Sequence, residues 1–272
     1  MEQVKTGIKI RTLSIKGLVL LAVGLLFVGW LLNTPGGLLG KADAIGYAVC
    51  HRIDMRSFHL GDRQVPLCAR CSGMYLGAVL GLVYQFTLRR RRTGTPPWSV
   101  LLLLGAMVLA FGVDGLNSYL HFFPGAPSLY EPQNWLRLLT GTGMGIVISA
   151  ALYPAFNQTV WKDWDRRPAL DGLDFLIGLV VLAAFLDLVV LTENPLVLYP
   201  LALISAAGVL LILSLVYTMV WLMVLRIENR YQSVFQLFFP LTGGFGMALL
   251  QIAILDFVRY LLTGTWDGFH LG

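Results

Sequence analysis

Seven apolar runs, at residues 17–32, 72–88, 98–119, 135–156, 173–191, 201–225 and 235–262, occupy most of this chain of 272 residues. A helix crossing a bilayer needs roughly 20 mostly apolar residues, because no water is available inside to satisfy a broken backbone. Runs of this length and number predict an all-α, polytopic transmembrane bundle of about seven spans. Only 13% of the residues are charged and the mean hydropathy is +0.72, so the loops between the spans are short. That excludes a large soluble catalytic domain and leaves any chemistry to helix ends and one or two loops. The chain shows no repeat, low-complexity tract or heptad pattern, and reads as a single transmembrane domain over residues 1–272.

Orientation follows from where lysine and arginine fall, since basic loops of membrane proteins stay cytoplasmic. Residues 1–16 carry Lys5, Lys9, Arg11 and Lys16, with no small-residue cleavage signal after the first span, and read as an anchor rather than a cleaved signal peptide. A cytoplasmic N-terminus places 13 of the 20 basic residues inside, including the run Arg89 to Arg92. The expected protein is therefore multi-pass in the cell (cytoplasmic) membrane, with an extracytoplasmic C-terminus. The net charge of +5 is mostly a topology signal and calls for no nucleic acid. The last two runs are long enough to tilt or break, and Pro240 with Gly243-Gly244-Phe245-Gly246 could divide the seventh span into half-helices. Small residues more often serve close helix packing, the expected role of Gly141, Gly143 and Gly145.

The one long polar segment, 33–71, holds all three cysteines: Cys50, Cys68 and Cys71. A Cys-x-x-Cys pair, a third cysteine and the nearby His51 and His59 supply the ligand types and spacing of a Cys/His metal site. Cys50 and His51 are adjacent and project in different directions. The easier set is Cys68, Cys71 and one of Cys50 or His51, with His59 or water as the fourth ligand. Thiolate and imidazole together favour zinc, though iron and copper are admitted by softness alone. A disulfide with one spare thiol, or redox-active thiols, uses the same residues. Four arginines share this segment against the positive-inside trend, and Arg52, Arg56 and Arg70 are candidate anion-binding residues.

Ionisable side chains within spans are costly unless paired or wet, so each one marks a candidate site. Asp114, Arg137, Asp187, Asp256 and Arg259 all fall near the span ends on the cysteine side, with Asp174 interfacial. This depth predicts a polar pocket beneath the cysteine loop, with Asp114 and Arg137 as candidate catalytic residues and His121 and Glu131 as further contributors. Asp256 and Arg259, at i and i+3, are expected to satisfy one another. His270, in the tail, is expected to be incidental. Trp98, Trp135, Tyr119, Tyr199 and Tyr260 are expected interfacial anchors.

The string Cys50-His51-Arg52, Arg56-Ser57-Phe58, Pro66-x-Cys68-Ala69-Arg70-Cys71-x-Gly73-x-Tyr75-x-Gly77 resembles the hallmark of the integral membrane proteins grouped as domain of unknown function 2085. The similarity continues through Asp114-Gly115, Asn117, Asn134-Trp135-Leu136-Arg137 and Thr140-Gly141, covering residues 45–150. It implies that the cysteine loop, Asp114 and Arg137 belong to one constellation, and it supplies no reaction.

Three classes of function follow. One is a membrane metal centre, zinc favoured, that binds or acts on an anionic or lipid-linked substrate at the outer leaflet. Another is a thiol–disulfide or electron-transfer protein in which Cys68 and Cys71 cycle. A third is a non-enzymatic accessory subunit of a membrane complex, with a transporter as a further reading.

Overall fold

The computed structural model describes residues 2–268 apart from Pro124 and Ala126, with the side chains of residues 2–15 not described. Eight helices run α1 (Glu2–Asn33), α2 (Gly37–Val49), α3 (Ala69–Leu88), α4 (Trp98–Leu120), α5 (Asn134–Val160), α6 (Leu173–Leu191), α7 (Pro195–Val224) and α8 (Phe238–Thr263). All but α2 carry a stretch long and apolar enough to cross a membrane. Many large apolar side chains point outward from the bundle, among them Leu109, Phe185 and Leu261. That is the surface expected of a chain whose solvent is lipid.

The 33–71 segment contains more helix than its polarity suggests. The thirteen residues of α2 lie against α7 and α8 rather than crossing the bundle. After it come a turn of 3-10 helix at Asp54–Arg56 and a two-stranded antiparallel hairpin of β1 (His59–Leu60) and β2 (Arg63–Gln64). At the opposite end of the bundle, β3 (Arg92–Gly94) pairs in parallel with β4 (Asp165–Pro168), and Arg89 and Arg92 both reach Asp171. The basic run at 89–92 thus ties two loops together as well as marking one side of the bundle.

The tightest helix pair is α3 with α5, and small residues make it so. A Cβ on Gly141 would collide with the Arg70 carbonyl and one on Gly145 with the Met74 carbonyl. In return, Gly73 and Gly77 admit the backbone of Leu138 and Thr142. Glycines four apart on both helices form one stripe each, which lets the two backbones touch without an intervening layer of side chains. Gly143 lies off this stripe, in ordinary contact with Met107. In α8 the glycines do the same, Gly244 against Ser214 and Thr218 and Gly246 against Val23. That helix runs unbroken through Pro240, which sits in its first turn where no N–H is required, so the half-helices that this string could form do not occur and its glycines serve packing.

Alternation of the seven long helices brings the C-terminal ends of α1, α4, α6 and α8 and the N-terminal ends of α3, α5 and α7 to one side. The cysteines lie on that side.

Candidate metal centre

Cys50 ends α2, where its N–H bonds back to the Gly46 carbonyl at 2.8 Å. Gly46 allows this helix to press on the backbone of Pro66, which a Cβ would overlap. That contact lays the end of α2 beside the chain just before α3. Cys68 then occupies the N-cap of α3 and Cys71 its first turn, spaced i, i+3 so that both side chains face one way. As a result the three sulfurs lie within 4.8 Å of one another, and Cys50 and Cys68 are buried. All three cysteines are free, and the Cys68 N–H donates to the Cys50 Sγ at 3.4 Å.

The donor set suits a tetrahedral ion. Zinc–thiolate bonds of about 2.3 Å at tetrahedral angles set sulfur atoms about 3.8 Å apart, inside the span these thiols occupy. Of the two fully buried sulfurs, the surroundings favour the thiolate at Cys50 and the thiol at Cys68. The partial positive charge at the start of α3 points at Cys68 and Cys71. Hydrogen bonds from the Cys68 and Cys71 thiols hold Cys50 well below the usual thiol value, while the Cys50 sulfur and burial push Cys68 up to about 12. One thiolate is thus shared by its two neighbours, as expected where three acidic groups share one site.

Neither histidine joins this donor group among the described residues. The His51 Nδ1 accepts the Ile53 N–H at 3.1 Å, the local consequence of projecting away from Cys50, and burial pushes the ring towards its neutral form. His59 sits on the hairpin and bonds Asp54 at 2.9 Å.

Arg259 of α8 locks the end of α2 in place. Its Nη1 donates to the Tyr47 carbonyl and, at 2.7 Å, to that of Cys50, with the guanidinium carbon 4.0 Å from the centre of the Tyr47 ring. A cation on the last carbonyls of α2 meets the negative end of that helix. Asp256, one turn earlier, does not pair with it but accepts the Trp30 indole N–H at 3.1 Å. The tail closes over the same end: the Tyr47 hydroxyl donates to the Thr265 carbonyl, and Arg52 to that of Trp266.

Beside the thiols lies a cluster of buried guanidinium groups. Asp114, 1% exposed, is saturated: Arg70 bonds its Oδ2, Thr140 reaches the same oxygen at 3.2 Å, and Tyr130 donates to Oδ1 at 2.9 Å. Arg70 also reaches the Ser118 hydroxyl at 2.9 Å. Arg56 donates to the Ser118 carbonyl at 2.9 Å and stacks on Phe122 at 3.7 Å, and Arg137 donates to Asn134 at 2.8 Å. Among the described residues neither has a carboxylate within ion-pair distance, although they are only 7% and 6% exposed. Burial pushes Arg56 down to about 10, and the neighbouring Arg137 and Arg70 push it the same way. Arg52, by contrast, is neutralised by Asp43 at 3.0 Å.

The five intramembrane charges therefore do not share one pocket. Asp114 and Arg137 join the arginine cluster, and Arg259 braces the cysteines. Asp256 is held by Trp30, and Asp187 stands apart on Thr142 at 2.7 Å. His121 and Glu131 are exposed, and His270 lies outside the described residues.

Residues 50–151, from Cys50 through Arg137 and into α5, match the family described as "Predicted membrane protein (DUF2085)". An uncharacterized protein of Methanothermobacter thermautotrophicus is 33% identical over 98 residues, which cover 36% of this chain and 78% of the relative. The chain belongs to this family. Another uncharacterized protein, from Methanocaldococcus jannaschii, is 27% identical over 121 residues, covering 44% of this chain and 70% of its own length. No solved structure matches. In this DUF2085 protein the matched segment carries all three thiols and the Arg56–Arg70–Asp114–Arg137 cluster. The Arg259 brace comes from α8, beyond it.

Several contributors to the site were not singled out from sequence, Tyr130 and Asp43 among them. Tyr130 and Asp43 each hold a charge through a contact across the fold, and neither shows a local motif. The glycine stripe of α3 was visible as Gly73-x-x-x-Gly77-x-x-x-Gly81, a spacing that marks a packing face.

Proposed function

We propose that the cysteine end of the bundle is a metal centre in which Cys50, Cys68 and Cys71 hold one ion, zinc being favoured. The convergence of three free sulfurs within 4.8 Å, from two helix ends 18 residues apart in sequence, carries this reading. Zinc so held would keep a fourth position for water or a substrate oxygen. The arginine cluster beside it supplies the second half of the function. Arg56 and Arg137 are buried cations with no carboxylate at ion-pair distance among the described residues, and burying a charge unpaired is costly enough that a partner is expected. An anionic group, phosphate or carboxylate, on an amphiphilic or lipid-linked substrate would provide it. Asp114 is saturated by its neighbours and serves here to orient Arg70 towards that group.

Under the positive-inside distribution, this end faces the extracytoplasmic side of the cell membrane. Metal analysis of protein purified anaerobically in nonionic detergent tests the centre. One equivalent of zinc is expected in the wild type, with loss in Cys68→Ser and Cys71→Ser. A metal-free wild type whose thiols form a disulfide on mild oxidation and recover on reduction would overturn it in favour of thiol–disulfide exchange.

A further inference from the structure

A cavity of about 810 Å³ opens between α1 and α8 on the cysteine side of the bundle, where Asp256 is the only charged lining residue among the described residues. Leu25 and Leu26 line its deep end and Trp30 and Thr34 its mouth, with Tyr260 and Trp266 on the α8 side. From Leu25 to Thr34 the helical rise gives about 13 Å of depth. The carboxylate is 3% exposed, and only half of it is satisfied: Oδ2 takes the Trp30 N–H, while Oδ1 has no hydrogen-bond partner among the described residues. A half-satisfied carboxylate in a membrane span is expensive, and such residues usually face a ligand or a pathway. Trp30, Tyr260 and Trp266 also line the cavity, and aromatic rings are a kind of group that attracts cations. No basic side chain is among these lining residues: Lys41 is spent on the Thr34 hydroxyl and carbonyl at the mouth, and Arg259 on the carbonyls of Tyr47 and Cys50, so the charge that lines the cavity is the carboxylate.

We propose that this cavity binds an amphiphile with an ammonium head group. The ammonium sits against Asp256 among Trp30, Tyr260 and Trp266, and the chain runs inward along Leu25 and Leu26. The site is separate from the thiols and does not depend on a metal there.

Isothermal titration of the full chain in maltoside micelles with decylammonium, decanol and decyl phosphate tests the assignment. Decylammonium is expected to saturate and to bind at least about tenfold more tightly than the other two, a difference of about 1.4 kcal/mol. Asp256→Asn should reduce its affinity to that of decanol. Gly29→Leu adds a side chain where no atom lies within 4 Å and leaves the carboxylate intact, so it should weaken binding by filling the cavity. That variant, with the decanol comparison, decides the matter if Asp256→Asn does not fold. Equal affinity for amine and alcohol, or unchanged binding in Gly29→Leu, overturns the assignment. Zinc content, measured on the same samples, should not change, so failure here is distinguishable from failure of the metal centre.

Discussion

Replacing Asp114 with asparagine should destabilise the bundle far more than a surface substitution would. The carboxylate is 1% exposed and accepts hydrogen bonds from Arg70, Thr140 and Tyr130, thereby joining α3, α4, α5 and the loop before α5. Asparagine keeps the shape but loses the charge, leaving Arg70 beside Arg56 and Arg137 with no anion among them. Breaking a buried ion pair from one side costs about 3–5 kcal/mol, and since Arg70 keeps 19% of its side chain exposed, the lower figure is the better expectation. Reversible unfolding in mixed micelles of dodecyl sulfate and maltoside, followed by circular dichroism, measures the loss. Arg70→Met combined with Asp114→Asn should lose less than Asp114→Asn alone, because the stranded cation is gone. A cost below about 1 kcal/mol for Asp114→Asn, the range of a solvent-exposed pair, would refute the reasoning. So would strict additivity of the two substitutions.

Three further outcomes follow from the same geometry. Arg259→Met should lower zinc affinity while leaving all three cysteines in place, because the end of α2 loses its clamp; competition with a chromophoric chelator reads this, and unchanged affinity would remove Arg259 from the site. Phosphate should raise the Tm of the wild type but not of an Arg56→Met/Arg137→Met double variant, and equal shifts in both would argue against an anion site in the cluster. Gly141→Ala should push α3 from α5 at the Arg70 carbonyl and cost stability in the same unfolding assay, whereas Gly17→Ala, whose added methyl meets nothing within 4 Å, should cost little.

The depth of each charge could be read from the chain because span boundaries and basic loops fix which end of a helix a residue occupies. Depth alone does not say which residues meet. Asp187 and Asp114 share a side of the membrane, yet the first faces Thr142 and the second Arg70, a difference of rotation about the helix axes. The pairing expected of Asp256 and Arg259 from their spacing gave way to contacts with α1 and α2, which reach the two side chains from opposite neighbours. The helix hidden in the 33–71 segment was missed because Gly37, Gly40, Lys41, Asp43 and Gly46 dilute its apolar pattern, and packing against α7 and α8 supplies what propensity does not.

By itself the sequence determined the number of spans, their alternation and the end of the bundle at which the cysteines and the buried charges gather, because a bilayer rejects any unpaired backbone and almost any charge. It also contained the complete set of thiols. Only the tertiary structure brought Cys50, rather than His51 or His59, beside Cys68 and Cys71. That choice turns on the close approach of Gly46 to Pro66 and the hold of Arg259 on α2, both long-range contacts whose partners carry no mark in the sequence nearby.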